Sequence, residues 1–187
     1  ATLIGNSMGG GVAIGMALTH PDRVSRLVLI DSLPDHVRER LVSPLMQRAL
    51  NTSVPAWLAR FGALFVGNRT MEAVLKEIIF DHTLVTPAVL DRSNRNRQRE
   101  DMITPLMSLR DSLPLWEQHF APRLKEIRHP TLILWGEQDR LFPPQVGRDL
   151  QTTIPQARLI MIPEAGHIPQ WEQPQVVNRH ITEFLQP

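Results

Sequence analysis

The sequence predicts an α/β protein: a parallel sheet flanked by helices, with an all-helical segment inserted between two of its strands. Two observations carry this. Short unbroken apolar runs, Leu27-Val28-Leu29-Ile30 and Thr131-Leu132-Ile133-Leu134-Trp135, alternate with helical stretches near both ends of the chain. Such runs belong to parallel strands covered on both faces. Between them, from about residue 33 to 128, apolar residues recur at helical spacing and Pro34, Pro44, Pro55, Pro87, Pro105, Pro114 and Pro122 interrupt the chain. That texture reads as short helices joined by proline-marked turns.

Taken in order, Thr2-Leu3-Ile4 is a short strand that ends at Gly5. A helix over about residues 8–18 follows, apolar almost all round, which predicts burial. His20-Pro21-Asp22 stops it and leads to the strand at Leu27–Ile30. After the insertion, Thr131–Trp135 forms a strand ending at Gly136. A helix follows Pro143-Pro144, residues 157–162 form another strand stopped by Pro163, and a last helix starts near Pro174, a favoured first-turn residue. Strands alternating with helices imply parallel β-α units. The expected division is a core of residues 1–32 and 129–187, with a helical unit over 33–128.

Composition narrows the function. Basic and acidic side chains nearly cancel, 20 against 19, so no overall field gathers nucleic acid or an anionic membrane. The Arg-rich stretch from Arg92 to Arg99 lacks interleaved aromatics and is flanked by Asp91, Glu100 and Asp101. It reads as a solvated helix face rather than a nucleic-acid site. The absence of cysteine excludes disulfides, thiolate metal sites and a Cys nucleophile. No apolar run is long enough for a transmembrane helix. The chain has no initiator Met and opens inside an element, so it reads as part of a longer protein. Its compartment is left open, with the cytoplasm as the default.

Gly5-Asn6-Ser7-Met8-Gly9 fits G-x-S-x-G with a strand before and a helix after, the context that motif requires. The turn is sharp and strained, so that the Ser7 hydroxyl projects above the sheet. Glycine is expected two residues either side, where side chains would collide. The Met8 amide lies at a helix N-terminus and is a natural oxyanion donor. Alone, the pattern could be a tight connection or a phosphate cradle. A Walker loop is disfavoured because no Lys-Ser/Thr follows the glycines, and G-x-G-x-x-G is absent. A serine nucleophile needs a base, and the base needs an anion to fix its tautomer. Asp139 follows one strand end and His167 the next, at the sheet edge where open α/β sheets bind ligands. Asp31 also ends a strand and is the alternative acid.

These motifs resemble the elbow, acid loop and histidine loop of the α/β-hydrolase superfamily: Gly5-Asn6-Ser7-Met8-Gly9-Gly10, Gly136-Glu137-Gln138-Asp139 and Ala165-Gly166-His167. The similarity covers residues 1–32 and about 129–187; the insertion matches that family's cap in position and helical character. The resemblance implies a partial α/β-hydrolase fold, lacking the first strands and the loop that supplies a second oxyanion amide. It implies a Ser7, His167 and Asp139 triad acting on a small, mostly apolar ester or related carbonyl compound, with no cofactor or metal. Asn6 and Trp171-Glu172 resemble the carbon–carbon bond hydrolases of meta-cleavage products, an alternative activity. Asn6, Trp57, Phe61, Phe65 and Trp171 are the expected substrate contacts, though the three cap aromatics also fit a cap core. A rival expectation is a catalytically incomplete piece, whose unpaired strand edge invites homodimers. The histidines at 20, 36, 82, 119, 129 and 180 read as surface or capping residues.

Overall fold

The computed structural model describes residues 1–51, 67–97 and 103–186. Four strands form one parallel sheet in the order β1-β2-β3-β4: β1 Thr2–Asn6, β2 Arg26–Ile30, β3 Thr131–Gly136 and β4 Ala157–Ile162. Their register aligns the C-terminal ends: Asn6 lies against Ile30, Ile30 against Leu134, and Gly136 against Ile162. The loops that follow the strands therefore emerge along one edge. The two central strands are buried along nearly their whole length, as their unbroken apolar runs require.

Two apolar layers cover the sheet. On one face Ile14, Leu27, Leu29, Ile133 and Trp135 join Val146 and Leu150 of the helix Pro144–Thr153. On the other, Val28, Ile30, Leu132 and Leu134 pack with Val177 of the helix Pro174–Leu185. Alternate residues of β2 and β3 thus serve opposite faces.

Between β2 and β3 the described residues contain helices and turns, and no strand among the described residues. After α1 (Met8–Thr19) come α2 (Val37–Arg40), α3 (Pro44–Asn51), α4 (Asn68–Ile78), α5 (Pro87–Arg97) and α6 (Ile103–Leu115). A π turn (Trp116–Phe120) and a 3-10 turn (Ala121–Glu126) lead back to the sheet. The helices after β3 are α7 (Pro144–Thr153), α8 (Pro169–Glu172) and α9 (Pro174–Leu185).

The expected all-round burial of α1 is only half met. Ala13, Ile14 and Ala17 pack on the core, whereas Met8, Val12 and Met16, one turn apart, are exposed, Val12 at 62%. The reason is position: β1 pairs only with β2 among the described strands, so its helix is covered on one side alone. The Arg-rich stretch begins on α5, where Arg95 pairs with Asp91 one turn earlier.

Candidate active site

Three loops at the C-terminal sheet edge bring the chemistry together. After β1, Ser7 adopts φ 52 and ψ −119, a left-handed conformation that non-glycine residues avoid. Its N–H donates to Ile30 O at 2.9 Å, pinning the turn to the neighbouring strand. Among the described residues the other non-glycine positive φ values are at Asp31 (38) and Glu164 (54). Each follows a strand at this same edge. Backbone strain concentrates where a scaffold over-determines a site.

The two glycines of the elbow differ. A Cβ on Gly5 would meet the carbonyl carbon and oxygen of Gly9 at 2.2 Å, but a Cβ on Gly9 would meet nothing within 4 Å. The expectation of steric need at both positions is corrected: it is the backbone of residue 9 that crowds residue 5. Met8 opens α1, so its N–H has no acceptor within the helix.

The acid loop and the histidine loop are stitched through the backbone and side chain of Gln138. Gln138 N–H donates to Ala165 O at 2.9 Å, and Gln138 Oε1 accepts from Ala165 N at 3.0 Å. A Cβ on Gly136 would lie 2.0 Å from Gly166 O, so only glycine permits this approach. The stitching sets Asp139 Oδ2 2.8 Å from His167 Nδ1. Both side chains are buried, the residues 5% and 4% exposed. Asp139 Oδ1 accepts from Leu141 N (2.7 Å) and Phe142 N (3.2 Å), which orients the carboxylate. The Phe142 ring meets the imidazole edge-on at 5.8 Å. Of the histidines, His167 alone is buried; His20, His36, His82 and His119 are exposed, and His129 and His180 half-buried.

Asp31 sits behind this pair, fully buried. Its Oδ1 accepts from Gly136 N at 2.9 Å, while Oδ2 has no hydrogen-bond partner. One ligand atom from each of Asp31, Asp139 and His167 lies within 4.8 Å of the others. Burial, then the charge of Asp139, pushes the Asp31 carboxyl well above the usual carboxylate range. Burial thus favours the neutral form of Asp31, and the imidazole contacts Asp139 instead.

The remaining expected residues fall in different places. Asn6 Nδ2 donates to Ile30 O (3.1 Å) and to His167 O (3.0 Å), so its N–H groups brace the histidine loop against the elbow. Both of its amide donors are thus committed to backbone. The Ser7 hydroxyl makes no hydrogen bond among the described residues; the Asn6–His167 link joins the two loops. Trp171 is 41% exposed on α8. Trp57, Phe61 and Phe65 lie outside the described residues. Beside Met8, a cavity of about 420 Å³ is walled mainly by Val12, Leu33, Leu109, Leu113, Trp116 and Phe120.

Comparison with known proteins agrees with this architecture. The family described as alpha/beta hydrolase fold matches residues 1–174. The chain is 30% identical over 186 residues to a 2-hydroxy-6-oxo-6-phenylhexa-2,4-dienoate hydrolase of Burkholderia cepacia, covering 99% of the chain and 62% of that protein. Identity and coverage are the same for a 2-hydroxy-6-oxononadienedioate/2-hydroxy-6-oxononatrienedioate hydrolase of Comamonas testosteroni. The solved meta-cleavage product hydrolase CumD, from Pseudomonas fluorescens IP01, superimposes with a TM-score of 0.73 at 25% identity, over 98% of this chain and 64% of that one. The chain thus spans about 62% of the length of these curated relatives. The parallel sheet, the strained Ser7 turn and the match over nearly the whole chain agree, and the chain belongs to the α/β hydrolase fold family.

Proposed function

We propose that this chain carries the nucleophile, base and acid of a serine hydrolase that cleaves a carbon–carbon bond next to a carbonyl in a meta-cleavage-type product. The observation that carries this is the buried 2.8 Å contact between His167 Nδ1 and Asp139 Oδ2, at the same sheet edge as a strained Ser7. Similarity to dienoate hydrolases supports the bond type. In this reading residues 33–128 are a cap over the sheet edge.

His167 Nε2 takes the proton of Ser7 as its oxygen attacks the substrate carbonyl. Asp139 holds the tautomer and stabilises the imidazolium. The Met8 N–H donates to the oxyanion, a kind of contact typically worth about 3–4 kcal/mol. As the tetrahedral adduct collapses, the scissile carbon–carbon bond breaks. In the 2-oxo tautomer of the substrate, formed by moving the 2-hydroxyl proton to the departing carbon before attack, the bond's electron pair passes to that carbon as a dienolate delocalised onto the 2-oxo group, which the imidazolium protonates. Water, deprotonated by His167, then hydrolyses the acyl-enzyme and frees Ser7.

An ester would follow the same steps with an alkoxide leaving group, and the apolar cavity beside Met8 would accept the acyl portion of either substrate. Two experiments on the protein carrying this chain separate the outcomes. A fluorophosphonate probe is expected to label Ser7 covalently; folded protein that stays unlabelled would favour an incomplete site, with the exposed face of β1 and α1 serving association instead. Turnover of 2-hydroxy-6-oxo-6-phenylhexa-2,4-dienoate, compared with a p-nitrophenyl ester, reads the bond type. Preference for the ester overturns the carbon–carbon reading and leaves the serine chemistry standing.

A further inference from the structure

The Glu172 carboxylate reaches two parts of the chain that are far apart in sequence. Its Oε1 accepts from Gly166 N at 2.7 Å. Its Oε2 accepts from Phe80 N at 2.6 Å and Asp81 N at 3.0 Å. Gly166 immediately precedes the buried imidazole; Phe80 and Asp81 follow the end of α4, in the segment between β2 and β3. The same two stretches touch again where His167 N–H donates to Ile78 O at 2.8 Å. Ile79, between these contacts, is fully buried. The fit has no slack: a Cβ on Gly166 would lie 2.5 Å from Ile78 O and 3.0 Å from Phe80 N.

A carboxylate that accepts three backbone N–H groups is a charge-assisted clamp, stronger than neutral hydrogen bonds. No step of the chemistry uses it. Its effect is on placement: His167 is held by Asn6 through its carbonyl, by Ile78 through its N–H, and by Glu172 through the preceding residue. Two of those three anchors depend on residues 78–81.

We propose that Glu172 is a positioning residue for His167, and that it makes correct placement of the imidazole conditional on residues 78–81 being seated against the histidine loop. The inference rests on His167 being the general base.

The test is Glu172→Gln, which keeps the shape. One amide oxygen can serve only one side of the clamp, and the NH2 group faces an N–H on the other. The expected result is a fall in kcat of about 10- to 100-fold, the scale of a roughly 1 Å misplacement, with KM changed less than about threefold. The acid limb of the kcat/KM profile should move, because a loosened imidazole no longer keeps its full contact with Asp139. Around the imidazole the titratable groups are Asp139 and Asp31, with Glu172 acting electrostatically on Asp31; none of these is removed except Glu172. Phe80→Pro deletes one donor from the other side, leaves the histidine loop untouched, and should shift the same limb.

A readout independent of turnover is the low-field proton resonance of His167 Nδ1–H, assigned by its loss in Asp139→Asn. It should weaken or broaden in both variants. Variants that fold with parental kcat, pH limb and resonance would overturn the proposal. So would loss of thermal stability with the limb and resonance unmoved, which marks a structural brace. If the parent resonance responds as expected but Ser7→Ala retains turnover, the serine reading fails and the clamp stands.

Discussion

Asp139→Asn is the sharpest test of the site, because the structure dictates how the new amide must sit. Oδ1 accepts from two backbone donors, Leu141 N at 2.7 Å and Phe142 N at 3.2 Å. Turning the NH2 group toward them would orphan both. At about 1–3 kcal/mol for each buried donor left unpaired, that orientation is disfavoured by roughly 2–6 kcal/mol. The amide oxygen therefore stays with the loop, and NH2 faces His167 Nδ1. A donor there forces Nδ1 to accept, moving the imidazole proton to Nε2, the nitrogen that must take the Ser7 proton. Fold and stability should change little, since every hydrogen bond keeps a partner. Turnover should fall on the order of 10⁴-fold, as it does when a serine-protease triad suffers the same change, or about 5 kcal/mol in the barrier. The assay is kcat/KM together with the fluorophosphonate labelling rate in the protein carrying this chain. Asp31→Asn is the matched control, expected within about tenfold of the parent. Turnover of Asp139→Asn within tenfold of the parent, or a larger loss in Asp31→Asn, would refute the reasoning.

Asp31 also predicts a pH dependence of stability. Its carboxyl is raised in the folded state by burial and then by Asp139, so between the unfolded and folded values the native state binds the extra proton. Stability from this group is fully present below the unfolded value of about 3.9 and is lost as pH rises through the folded one. Asp31→Asn should flatten that decline, with its unfolding midpoint rising relative to the parent as pH increases; parallel pH curves would contradict this. Gly5→Ala should cost about 3 kcal/mol or prevent folding, because the new Cβ meets Gly9 backbone at 2.2 Å, whereas Gly9→Ala, with open space around it, should change urea-unfolding stability by less than about 1 kcal/mol. Equal losses at the two positions would show that the turn is not crowded as described. Asn6→Ala removes donors to Ile30 O and His167 O and should lower kcat by about tenfold with KM nearly constant; a rise in KM alone would return Asn6 to the substrate.

The one-dimensional pattern determined a good deal. Unbroken apolar runs, one bounded by Arg26 and Asp31 and the other ending at Gly136, fit covered parallel strands, and these runs became β2 and β3. The helix starting at Pro174 and the strand at residues 157–162, stopped by Pro163, lie where the prolines set them. It also determined that Ser7, Asp31, Asp139 and His167 each follow a strand, since strand ends are local features. What only the tertiary structure decided is which of these groups touch. Asp31 and Asp139 both end within reach of the same imidazole, and their sequence contexts look alike. The choice comes from Gly136 N–H binding the Asp31 carboxyl and Leu141 and Phe142 N–H orienting the Asp139 carboxylate, contacts whose backbone donors carry no residue identity. The same holds for Glu172, whose three partners are all main-chain amides. Any residue but proline offers such a donor, so spacing and composition leave no trace of it, and only the folding of residues 78–81 onto the histidine loop reveals the clamp.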